Sequence, residues 1–152
     1  MTGPPLPLRR LMLQGTVSLA WVSGTRHVLA QVPPGSDTVS PARWYDAAEA
    51  LRQQALSWGD QPHGAVLVLE GALVGEGPSR VVLRADPTAH AEREAIRDAQ
   101  RRLGRTRLTG AVLYSTSRPC RDCERAAAAA DVARMVHGAD LRDAGRPQRD
   151  PG

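Results

Sequence analysis

The chain contains no phenylalanine and no lysine, and only two tyrosines and three tryptophans. With so few large aromatics, its core has to be built from Ala, Val and Leu. It has two cysteines, too few for a disulfide-stapled scaffold. Cys120 and Cys123 lie three positions apart, which reads as metal or redox chemistry in a reducing compartment. No apolar run approaches the ~18–20 residues that cross a bilayer. Arg9–Arg10 followed by Leu11–Met12–Leu13 imitates a signal peptide, but Gln14, Gly15, Thr16 and Ser18 break the stretch. The expectation is therefore a soluble, cytoplasmic protein with no membrane partner.

What is present is ordinary for a globular protein. The 152 residues, 41% hydrophobic and 24% charged, exclude both wholesale disorder and a multidomain machine. Twenty basic residues, all arginine, face 16 acidic ones, for a net charge of +4. Guanidinium suits phosphate, so this surplus permits nucleic-acid contacts. A GC-rich coding bias towards Arg and Ala is the plainer account, so the basicity is permissive only.

Pattern divides the chain into an extension (1–40), a central domain (41–139) and a short charged tail (140–152) expected to fray. In the extension, Pro4, Pro5 and Pro7 suggest a loose start. Thr16–Trp21 and His27–Val32 suggest a hairpin, and Pro33–Asp37 a linker. Ser40 and Pro41 open a helix to Trp58, with Trp44, Ala47, Ala48, Leu51, Ala55 and Trp58 along its apolar face. Strands are expected at Ala65–Leu69 and Ala72–Val74, then a loop Gly75–Asp86 holding the β-rich triplet Val81–Leu83. A helix should run from about Ala89 to Leu103, a strand over Leu108–Tyr114, a helix over Arg121–Val132 and a short strand over Met135–His137. Helices alternating with a small sheet give an α/β class with helices on both faces.

Four residues carry chemistry: His90 and Glu92 at one helix start, Cys120 and Cys123 at another. A lone His-x-Glu is common in solvated helix starts, and a lone Cys-x-x-Cys can be a dithiol redox pair. Together they offer one imidazole and two thiolates to Zn²⁺, leaving a fourth tetrahedral position for water. Residues two apart on a helix point about 200° apart, so His90 and Glu92 share one site only if the helix begins there. Pro87 argues that it does. His-x-Glu followed by Pro-Cys-x-x-Cys is the signature of zinc nucleobase deaminases, and here it reads His90–Ala91–Glu92 and Pro119–Cys120–Arg121–Asp122–Cys123.

With Asp86–Pro87–Thr88–Ala89 before it and Ala95–Ile96–Arg97 after it, the first motif resembles the cytidine deaminase-like superfamily. The nearest branch holds guanine deaminase, fungal-type cytosine deaminase and the tRNA wobble adenosine deaminase. Gly64–Val68, Val74–Gly77 and Leu113–Thr116 resemble that branch's strands. The resemblance covers about residues 41–139 and implies a three-layer α/β/α fold around a small mixed sheet. It further implies His90, Cys120 and Cys123 as zinc ligands and Glu92 as general acid/base. Zinc lowers the pKa of its water. Glu92 then takes the proton and returns protons to the ring nitrogen and the departing ammonia. The Ala91 N–H would meet the base.

Several positions depart from the branch. Ser79 stands where an Asn usually binds the base, Arg118 where a Glu precedes Pro-Cys, and Asp122 where an apolar residue separates the cysteines. The terminal helix is expected to be missing. The implied activity is hydrolytic deamination of a small nucleobase, nucleoside or nucleotide by a homodimer, with tRNA adenosine as the alternative substrate. A non-catalytic protein keeping a structural zinc is the other alternative.

Overall fold

A computed structural model of the chain describes residues 40–149. The hairpin and linker expected before Ser40 lie outside the described residues. From Ser40 onward the elements are α1 (Pro41–Ser57), β1 (Gly64–Leu69), β2 (Ala72–Pro78), α2 (Ala91–Leu103), β3 (Val112–Ser115), α3 (Arg121–Ala129), β4 (Arg134–His137) and β5 (Arg142–Gly145). The strands form one sheet in the order β2-β1-β3-β4-β5. Only β3 and β4 pair in parallel, with α3 as their crossover; the other neighbours are antiparallel. Among the described residues no helix is long and apolar enough to cross a membrane.

Alternation along β1 builds the layers. Val66 and Val68 face Trp44 and Ala48 of α1. Ala65 and Leu67 join Ala91, Ala95, Ala99 and Ala127 of α2 and α3 on the opposite side. Each face of the strand is covered by a helix, so its run of apolar residues needs no polar partner. The core is aliphatic, as the lack of aromatics requires, with Trp44 the one large ring buried in it among the described residues.

Small residues set how closely the helices approach. Ala91, Ala95 and Ala99 recur every four residues on α2 and are all but fully buried. Beneath them lie Gly75 and Gly77 of β2, where an added Cβ would strike the Ala95 and Ala91 carbonyl oxygens respectively. The helix rests directly on the strand backbone. This explains why β2 continues to Pro78 although its glycines suggest a loop after Val74: here glycine marks a close approach and not a turn.

Other boundaries also move. Val81–Leu83 is a turn, with Val82 and Leu83 exposed, because a carboxylate captures its backbone donors, as shown below. The third strand starts at Val112, while Leu108 and Ala111 enter the core from the preceding loop. The third helix stops at Ala129, and Asp131 takes the left-handed conformation (φ 60°) that closes it. Trp58 lies beyond α1, with Arg80 over its ring at 5.1 Å. Part of the tail does not fray. Arg142–Gly145 pairs with β4 as an edge strand, held by the ladder and not by apolar side chains.

Candidate metal centre

Two helix starts meet at one end of the sheet. His90 is the N-cap of α2, its backbone extended at φ −63° and ψ 152°, and Cys120 is the N-cap of α3, at φ −73° and ψ 166°. Because His90 precedes the helix, its side chain escapes the 200° offset that would separate it from Glu92 in a regular turn. The Cys120 sulfur accepts the Cys123 N–H at 3.4 Å, a cap made by a thiol in place of the usual hydroxyl. Pro119 fixes the backbone just before it.

The side chains converge. His90 Nδ1 lies 3.4 Å from Cys123 Sγ and 3.6 Å from Cys120 Sγ, and the three donor atoms all fall within 4.8 Å of one another. Metal–sulfur and metal–nitrogen bonds of about 2.3 and 2.0 Å around a tetrahedral zinc place the two atom types about 3.5 Å apart, which is the spacing seen here. Glu92 Oε2 approaches Cys123 Sγ at 3.4 Å, and this carboxylate is only 5% exposed. Cys123 is fully buried, His90 half-buried and Cys120 exposed, so the cluster opens on the Cys120 side.

Electrostatics ask for a cation. Burial pushes the Cys123 thiol far above its ordinary range, and the neighbouring Glu92 and Cys120 push it the same way. Two sulfurs and a carboxylate packed this tightly cannot all carry charge unless a positive ion joins them. A soft dication with nitrogen and sulfur ligands meets that need, and the donor set fits zinc.

The surrounding loops are organised by Asp60, a residue that the sequence pattern does not single out. This buried carboxylate accepts hydrogen bonds from Gln61 N (2.7 Å), Ser79 Oγ (2.8 Å), Val82 N (3.0 Å) and Leu83 N (2.8 Å). Burial pushes its carboxyl up, but the four donors together outweigh this and hold it below the usual aspartate range. Arg80 N then bonds to Ala89 O, closing the loop directly before His90. Ser79, expected at the base-binding position, is fully buried with its hydroxyl given to Asp60. Ala91 is the first residue of α2, where the N–H has no intrahelical acceptor.

Glu94 is a second missed residue. Only 4% exposed, it holds Arg84 at 2.7 Å, Arg97 at 2.8 Å and Arg80 at 3.8 Å, tying the 80–84 loop to the helix that carries Glu92. Nothing in its local sequence separates it from a solvated glutamate, because its partners come from the loop and from the next turn. His63, at the entry to β1, shares a hydrogen bond with Ser117 at 3.1 Å, joining that entry to the segment that leads into Cys120.

This geometry has known counterparts. Residues 40–139 match the family described as the cytidine and deoxycytidylate deaminase zinc-binding region. The chain belongs to this family. It is similar to the tRNA-specific adenosine deaminase of Buchnera aphidicola subsp. Schizaphis graminum, 36% identical over 100 residues that make up 66% of each chain. It is also similar to the guanine deaminase of Bacillus subtilis, 47% identical over 62 residues, 41% of this chain and 40% of that one. Among solved structures, a tRNA:A34 deaminase superposes with a TM-score of 0.61 at 38% identity, covering 63% of this chain and 70% of that chain. The chain thus spans between two-fifths and two-thirds of these two curated relatives. The fold is cytidine deaminase-like, in the branch that its motifs indicate, and its cofactor is zinc.

Proposed function

We propose that this protein is a zinc-dependent hydrolytic deaminase that exchanges an exocyclic amino group of a nucleobase for oxygen and releases ammonia. The convergence of His90, Cys120 and Cys123 beside the buried carboxylate of Glu92 carries the proposal. His90, Cys120 and Cys123 hold the metal, which when bound supplies the Lewis acidity that makes water a nucleophile near neutral pH. Glu92 accepts the proton of the attacking water and delivers protons to the ring nitrogen and the departing amine. The Ala91 N–H, at the positive end of α2, holds a polar atom of the base. A structural site has no use for a buried carboxylate next to a ligand sulfur, so the non-catalytic reading has less support.

The relatives named above carry tRNA adenosine and guanine in their names, which favours an amino-bearing purine. The repeated tRNA naming supports wobble adenosine as the second reading. Our reading also includes a cytoplasmic homodimer, which sedimentation of the purified chain checks. The test of function is ammonia release by the zinc-loaded chain from guanine, adenine and cytosine compounds, offered as base, nucleoside, nucleotide and anticodon stem-loop. Ammonia from one of them is expected. Ammonia from none would contradict the proposal.

A further inference from the structure

The open side of the metal centre is bordered by two arginines that no acid among the described residues neutralises. Arg118 and Arg121 bracket Pro119–Cys120, and both are exposed, as is Cys120 itself. Among the described residues neither side chain makes an ion pair or hydrogen bond. The acids around them are already engaged. Asp122 holds Arg125 at 3.0 Å, Glu124 accepts Gln148 N at 3.2 Å, Asp143 lies 3.5 Å from Arg134, and Asp140 pairs with Arg142. Arg84, Arg97 and Arg102, by contrast, are tied up in such pairs.

Arg118 also lines a cleft of about 510 Å³ with Pro119, His137 and Arg142, between the approach to α3 and the β4–β5 hairpin, and the two carboxylates in its lining, Glu124 and Asp143, are the ones already engaged. The positive end of α3 adds to the field there. An uncharged base gives such a border nothing to hold. A phosphate ester does, because guanidinium matches its oxygens with paired, charge-assisted hydrogen bonds.

We propose that Arg118 and Arg121 form a phosphate-binding rim to the metal centre, selecting the phosphorylated form of the substrate over the free base or nucleoside. This rests on the deaminase reading for the identity of the base, but the rim itself is tested by binding alone. The phosphate has two sources, a mononucleotide or a nucleic-acid strand. The two arginines are exposed, so their replacement leaves the core untouched.

The experiment compares the zinc-loaded full chain with its Arg118→Ala/Arg121→Ala variant. Each is titrated with adenosine, AMP, guanosine, GMP and an anticodon stem-loop RNA, with circular dichroism and zinc content as folding controls. In the wild type, a phosphorylated probe should bind about tenfold tighter than its nucleoside. In the double variant that ratio should fall to near one, and the salt dependence of stem-loop binding should drop by about two charges. Preference for a mononucleotide names the small substrate; preference confined to the stem-loop names the strand. Equal binding of all probes by the wild type, or a ratio unmoved by the double substitution, overturns the rim. Phosphate-dependent binding without ammonia from any probe would instead sink the deaminase reading and leave the rim standing.

Discussion

At the scale of the residue, two buried carboxylates divide the labour. Glu92 stands beside a ligand sulfur, while Asp60 holds together the loop that leads to His90. Motif spacing makes the first legible because His90, Glu92, Cys120 and Cys123 fall at fixed offsets on two helix starts. Asp60 is not legible, since two of its donors, Val82 and Leu83, arrive from more than twenty positions away. The same carboxylate accepts the Ser79 hydroxyl, so it also fixes the residue expected at the base-binding position. Asp60 ionises more readily folded than unfolded, so its contribution is full above about pH 4 and fades as pH falls through its lower folded value. Urea unfolding of the wild type and Asp60→Asn should therefore show a stability gap at neutral pH that shrinks at about pH 3. A gap that widens on acidification would contradict this. Replacement by Ala, which strands four donors, should cost about 1–3 kcal/mol at neutral pH.

At the scale of the element, the helix starts matter more than the helices. Cap positions release His90 and Cys120 from helical geometry, and alanines on α2 let it sit on the glycines of β2. Apolar periodicity makes α1, α2 and β1 readable to within a residue or two. β2 is truncated in such a reading because Gly75 and Gly77 look like a turn until the helix above them is seen. β5 is missed because Arg142, Asp143 and Gly145 carry no apolar alternation. Gly77→Val tests the close approach. Its side chain would fall on the Ala91 carbonyl, which is backbone and cannot swing aside. Denaturant unfolding should show a loss of about 1–3 kcal/mol, and zinc affinity should weaken as the start of α2 is displaced. Unchanged stability and affinity would mean that α2 can lift from β2 at no cost.

At the scale of the whole molecule, the metal joins parts that the core alone leaves separate. α2 and α3 pack on the same face of the sheet, and the His90–Cys120–Cys123 cluster is where their first turns meet. Removing zinc with a chelator should lower the melting temperature, and adding it back should raise the temperature with metal concentration, as for any ligand that binds only the folded chain. A melting curve insensitive to chelation would detach the cluster from folding.

The central claim is that Glu92 moves protons at a zinc centre built by these three ligands. Its most direct test is ammonia release by wild type and Glu92→Ala at equal zinc content, with the best substrate of the panel. The account predicts equal zinc and a rate lower by a factor of about 10² to 10⁴ in the variant. Equal zinc with an undiminished rate would contradict it.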